Sequence, residues 1–272
     1  MGDMKCLLLL LCAGVTVSSD VDLQKRVVRG RPCGNTERGY HVRLRASDGI
    51  RSSLCGGSLI SDSYILTAAH CWKDRWEMTA YLGVHPGPPV PLRGVRITQH
   101  HIYNDINGPH DIMLLKLPTP THITYIALPS DLECRNPFVK PVRVAGYGAT
   151  TVFPNGTIGN DRPTELHCGD MKVVKCQWNK KCQRRNPDPF TQSLAYQHLL
   201  CGQSKTVDIA PGDSGGGVVK KCRIYGVISN GVNVACAEPA GFMNVCKYKP
   251  WIKGIVGKDI WKNLRKQKCL FP

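Results

Sequence analysis

The stretch "TVDIAPGDSGGG", residues 206–217, sets one serine, Ser214, among glycines. Asp213 directly precedes it and Asp208 lies six residues upstream. Glycines let a backbone turn tightly and present a side chain at the tip, which suits a nucleophile. A serine hydroxyl reacts poorly unaided: it needs an imidazole to take its proton and a carboxylate to orient that imidazole. Outward from the serine, the chain offers both in compact apolar contexts. His70 lies in "ILTAAHCW" (65–72) and Asp111 in "HDIMLLKL" (110–117). Taken singly, the serine run reads equally well as a turn, His70 as a core histidine and Asp111 as a cap. Three such contexts in one chain point to an activated serine nucleophile.

The surrounding chain reads mostly as strands. "HVRLRA", "GGSLISDSYILTAA", "GVRITQHHIY", "DIMLLKL", "VRVAGYG", "GVVKKCRIYGVISNG" and "GFMNVC" are short apolar or alternating runs separated by Gly, Pro, Asn and Asp clusters. Helical signals are nearly confined to the end, from about Lys249 to Lys268. Many short strands followed by one helix predict an all-β barrel or sandwich.

The three contexts and their order resemble the trypsin-like (chymotrypsin-fold) serine peptidases, over the chain from Val27 to about Val256. The resemblance implies two packed antiparallel six-stranded β-barrels with a C-terminal helix and a cleft between the barrels. It implies Ser214 as nucleophile, His70 as general acid and base, and Asp111 as its orienter. The backbone N–H groups of Gly212 and Ser214 form the implied oxyanion hole. "LQKR-VVRG" (23–30) looks like the family's activation junction, where cleavage after Arg26 frees the α-amine of Val27 to pair with Asp213. Arg29 stands where a glycine is usual, and Gly30 keeps the second one. Asp208 falls at the floor of the family's primary pocket, which implies a preference for Arg or Lys before the cut.

Departures cluster around that pocket. Ile209 replaces a serine or alanine, Ala240 a wall glycine, and Asn230 the tryptophan of "SWG", while Gly231 is retained for pairing with substrate. The resemblance also implies disulfides Cys33–Cys168, Cys55–Cys71, Cys134–Cys246 and Cys182–Cys201. Ala210 and Val142 occupy the places of two other family cysteines. Cys176, Cys222, Cys236 and Cys269 are left with three open pairings.

The remaining signals concern the compartment and partners. "MGDMKCLLLLLCAGVTVSSD" (1–20) has one lysine, an apolar run from Leu7 to Val17, and small residues, as expected of a signal peptide cut after Ser18 or Ser19. Residues 1–19 are thus read as signal, 20–26 as activation propeptide, and 27–272 as the peptidase domain with a basic extension from about 257. Fourteen cysteines fall to twelve once Cys6 and Cys12 leave, an even count without any CxxC pair, which favours disulfides over zinc. No metal and no cofactor are expected. "LGVHPGPPVPLRG" (82–94), where many trypsins carry an acidic calcium loop, offers no carboxylate. Asn155 heads an N-glycosylation sequon, "NGT".

A formal net charge of +16, with Lys258, Lys262, Arg265, Lys266 and Lys268 in the tail, implies heparin-like polyanions as partners. Protein or peptide substrates and serine protease inhibitors complete the set, for a secreted or granule-stored monomer without a specific nucleic acid partner or a membrane span. Two functions stay open: a zymogen-derived endopeptidase acylated on Ser214, and a weak or inactive homologue that binds polyanions or proteins.

Overall fold

A computed structural model describes residues 27–87, 93–135, 141–161, 163–176, 193–231 and 235–257. The signal segment, Arg26, Cys182, Cys269 and the basic tail lie outside the described residues. After the short strand β1 (Arg31–Pro32), the first half of the chain forms β2 (His41–Ser47), β3 (Ser52–Leu59), β4 (Tyr64–Thr67), β5 (Glu77–Tyr81), β6 (Val95–Ile97), β7 (Gln99–Asp105) and β8 (Gly108–Lys116). These pair antiparallel in the order β6-β5-β2-β3-β4-β8-β7, a curved half-barrel. β2 shows the expected alternation, with Val42, Leu44 and Ala46 buried between partly exposed arginines. β8 is buried continuously from Ile112 to Leu115, as expected of a strand covered on both faces.

The second half supplies β9 (Val142–Gly146), β10 (His167–Val174), β11 (Leu199–Gln203), β12 (Gly217–Lys220), β13 (Arg223–Asn230) and β14 (Ala240–Asn244). They close into a six-stranded ring, β9-β10-β11-β14-β13-β12 and back to β9, with β1 added outside β10. A two-residue turn at Lys221 and Cys222, both at positive φ (45° and 59°), joins β12 to β13 and matches the strands' right-handed twist. The terminal helix spans Val245–Val256, beginning four residues before the sequence reading because the Asn244 side chain caps it at Cys246 N (3.2 Å).

Disulfides Cys33–Cys168, Cys55–Cys71 and Cys134–Cys246 form as the resemblance implied, the last tying the short helix Asp131–Arg135 to the terminal helix. The expected Cys182–Cys201 pairing is corrected: Cys201 bonds Cys176, with Cα atoms 5.2 Å apart. The cause is strand register. β10 and β11 pair Val174 with Cys201, so Cys176, two residues on, stays within bridging distance. Cys222 is also in a disulfide, whereas Cys236 is a free thiol.

Inside the closed barrel Phe242 is fully buried, and a Cβ on Gly202 or Gly226 would meet its side chain at 2.7 and 3.1 Å. The two glycines make room for that ring. Phe242→Ala should therefore cost about 3–5 kcal/mol in urea unfolding, from lost apolar burial and the cavity left behind. A cost under about 1 kcal/mol would show that the ring is not the barrel's filler.

Candidate active site

The site forms where the two halves meet. His70 sits on a single 3-10 turn, Ala69–Cys71, at the end of β4, and Cys71 anchors that turn to β3 through Cys55. Asp111 comes from β8, the neighbour of β4. Its carboxylate holds His70 twice: Oδ1 accepts from the His70 backbone N (2.8 Å), and both oxygens lie 2.9–3.0 Å from Nδ1. The imidazole is thereby turned with Nε2 outward. Ser229 Oγ, from β13 of the second barrel, donates to Asp111 Oδ2, and Gln197 Oε1 accepts from Asp111 N. The sequence reading missed both residues. Ser229 was visible as the first residue of "SNG", but nothing local distinguishes Gln197.

The serine segment is clamped across the interface. Ser214 O accepts from Gly56 N of β3 (2.7 Å), and Gly215 N donates to Ile228 O of β13 (2.7 Å). Cys71 Sγ, one residue from His70, lies 3.8 Å from the same Ser214 carbonyl. Ser214 Oγ makes no hydrogen bond among the described residues, and the half-buried serine stays open to approach. Gly212 has φ 105°, a conformation that side chains disfavour, so glycine is required there. The amides of Gly212 and Ser214 likewise donate to nothing among the described residues, which leaves two N–H groups available to an oxyanion.

Asp213 is fully buried. Gly148 N donates to its Oδ1 (2.7 Å) and Ala210 N to its Oδ2 (2.8 Å), while a Cβ on Gly146 or Gly148 would collide with the carboxylate. Burial, reinforced by the Asp208 charge, pushes its pKa up to about 6 against the two N–H bonds. Val27 and Val28 are buried beside this loop, with Asp208 N donating to Val28 O (3.2 Å). Arg29 adopts φ 61°, which explains why the place ordinarily falls to glycine.

Asp208 is 4% exposed. Its Oδ1 accepts from Ile209 N (2.8 Å) and its Oδ2 from Cys236 N (2.6 Å), and burial raises its pKa. Ile209 and Ala240 are buried in the second-barrel core, and Gly231 is exposed just beyond β13. Asn230 is 6% exposed, and neither polar atom of its amide finds a partner among the described residues. Asn155 lies on an exposed turn, its Oδ1 accepting from Thr157 N and Oγ1. Among the described residues two clusters each gather three candidate ligands, Cys55–His70–Cys71 and Cys33–Glu37–Cys168. Their sulfurs are locked in disulfides and provide no thiolate for a metal.

Comparison with known proteins shows the family of the chain. The family model described as Trypsin matches residues 27–252. Rat trypsin-4 is 31% identical over 88% of this chain and 94% of its own, dog anionic trypsin 29% over 94% and 100%, and human kallikrein-8 30% over 92% and 94%. The solved structure of HL collagenase superposes with a TM-score of 0.67 at 27% identity, covering 85% of this chain and 98% of that one. The chain belongs to the trypsin family of serine proteases. No helix among the described residues is long and apolar enough to cross a membrane.

The Asp213 environment has a measurable consequence. A carboxyl whose folded pKa is raised stabilises the fold fully below its unfolded value near 3.8, and that contribution is lost as pH climbs through about 6. The loss is on the order of 2–3 kcal/mol, and the raised Asp208 acts in the same direction. In a chain kept uncut by Arg26→Gln, the melting temperature should fall between pH 4 and 7. Adding Asp213→Asn should flatten that slope, while lowering stability at pH 4 because the amide NH2 faces an N–H. Equal slopes with and without Asp213→Asn would refute the assignment.

Proposed function

We propose that the protein is a secreted endopeptidase made as a zymogen, which cuts peptide bonds after Arg or Lys through an acyl-enzyme on Ser214. The observation that carries this reading is the doubly held His70–Asp111 pair beside a serine loop clamped between the two halves of a trypsin-family chain.

In the proposed reaction His70 Nε2 takes the proton of Ser214 Oγ as that oxygen attacks the scissile carbonyl. Asp111 keeps the proton on Nδ1 and stabilises the imidazolium that forms, and Ser229 holds Asp111 from its far side. The tetrahedral oxyanion settles against the N–H groups of Gly212 and Ser214; losing one such donor typically costs on the order of 10²–10³ in rate. His70 then hands its proton to the leaving amine, and water, deprotonated by the same nitrogen, releases the acyl group. Gly231 pairs with the substrate backbone, and Asp208 receives the basic side chain.

Activation follows from the buried carboxylate. Cleavage after Arg26 gives Val27 a charged α-amine next to Asp213, and a buried ion pair is favourable only when both members are present. The leader through Ser19, the propeptide through Arg26 and a glycan on Asn155 belong to the same secretory reading. The net charge of +16 supports binding to sulfated glycans, whose counterion release makes affinity fall with salt.

Ser214→Ala should abolish peptide hydrolysis while leaving secretion and melting temperature near those of the parent, and Arg26→Gln should block activation by trypsin-like activators. Comparable turnover by Ser214→Ala, or full activity from an uncut chain, would overturn the respective assignment. On a heparin column, a chain with Lys258, Lys262, Arg265 and Lys266 changed to Gln should elute at lower salt than the parent; equal elution means that the charge acts diffusely.

A further inference from the structure

Ile209 occupies the space that a basic substrate side chain needs. A Cβ built on Gly231 would sit 3.0 Å from both Cγ1 and Cδ1 of Ile209, closer than ordinary van der Waals contact. The Ile209 side chain therefore lies directly on the Gly231 backbone. A guanidinium or lysine stem sandwiched between two walls needs about 7–8 Å between their carbons, twice the optimum separation of roughly 3.5–4.0 Å. No such gap exists between Ile209 and Gly231.

Two further observations agree. Ile209 is only 6% exposed and belongs to the apolar cluster of Val27, Ile228, Ala240 and Phe242, so its position is stabilised by burial. Behind it, each oxygen of Asp208 already accepts a backbone N–H, from Ile209 and from Cys236, so the carboxylate is satisfied without a ligand. The second of these bonds ties the floor to Cys236, beyond β13. An isoleucine can retract by changing side-chain rotamer, at the expense of its apolar contacts.

We infer that Ile209 is a plug: it closes the primary pocket over Asp208 in the resting protein, and a basic side chain enters only when Ile209 leaves Gly231. The inference rests on the peptidase reading for what the pocket receives. The plug throttles binding at the pocket while the His70–Asp111–Ser214 arrangement stays in place, and it makes Ile209 the residue that sets how much of the basic preference of Asp208 is expressed.

The test uses the chain activated at Arg26–Val27 and p-aminobenzamidine, a flat cation whose fluorescence rises on entering an apolar slot above a carboxylate. The parent should bind it weakly. Ile209→Ser should bind it at least tenfold more tightly and raise kcat/KM on Arg peptides by about 10- to 100-fold, and adding Asp208→Asn should erase both gains. Ile209→Ala, which removes the same three carbons beyond Cβ without adding a hydroxyl, should show the same direction if the serine variant folds poorly. Parent and both variants binding the probe equally would overturn the plug, as would tight binding by the parent. Benzamidine binding needs no turnover. Tighter probe binding by Ile209→Ser without hydrolysis of any peptide therefore supports the plug and sinks the peptidase reading.

Discussion

Asp213 is a carboxylate taken wholly out of water and held by two backbone N–H groups, Gly148 from just after β9 and Ala210 from its own loop. Removing a charge from water is expensive unless it is paired, so everything around it is arranged to receive it. Gly146 and Gly148 lack the side chains that would collide with it, and Val27 and Val28 pack beside it. The next residue is Ser214. The loop from Asp208 to Gly216 therefore cannot move without disturbing that carboxylate, and the serine's position is set by the buried charge on the residue before it.

From that anchor the site is assembled across the two halves. The half-barrel contributes His70 from the turn after β4 and Asp111 from the neighbouring strand β8, and the closed barrel contributes Ser214 and Ser229. Gly56 N to Ser214 O and Ser229 Oγ to Asp111 cross between the halves in opposite directions, so that neither can slide without breaking a hydrogen bond. The same loop that fixes the nucleophile also carries Asp208 and Ile209. In the proposed reading chemistry and specificity thus share one segment, and a single side chain on it restricts the second while sparing the first.

Much of this was legible in the sequence, for physical reasons. Alternating or continuous apolar runs marked the strands because each strand has to bury one face or both. The contexts of His70, Asp111 and Ser214 were recognisable because each needs particular neighbours, glycines around the serine above all. What could not be read depends on register and on side-chain direction. The choice of Cys176 over Cys182 for Cys201 follows from the β10–β11 pairing, which no local pattern encodes. "GVRITQHHIY" read as one run but divides into β6 and β7. Ile209 was visible as an odd neighbour of Asp208, yet only the structure lays it on Gly231. Gln197 gave no signal, and Asn230 was visible as a departure without showing that its amide lacks a partner among the described residues, since what matters in each is what lies opposite.

The proposed coupling between the buried carboxylate and the nucleophile is tested most directly by intact-protein mass spectrometry after treatment with diisopropyl fluorophosphonate, before and after cleavage at Arg26–Val27. The reagent is small and uncharged, so it reports the serine independently of the primary pocket. The account predicts a single adduct, mapped to Ser214, in the cut protein, with labelling of the uncut chain slower by at least about 100-fold, the equivalent of roughly 3 kcal/mol of site assembly. Equal labelling of cut and uncut chains, or no adduct on Ser214 after cleavage, would contradict it.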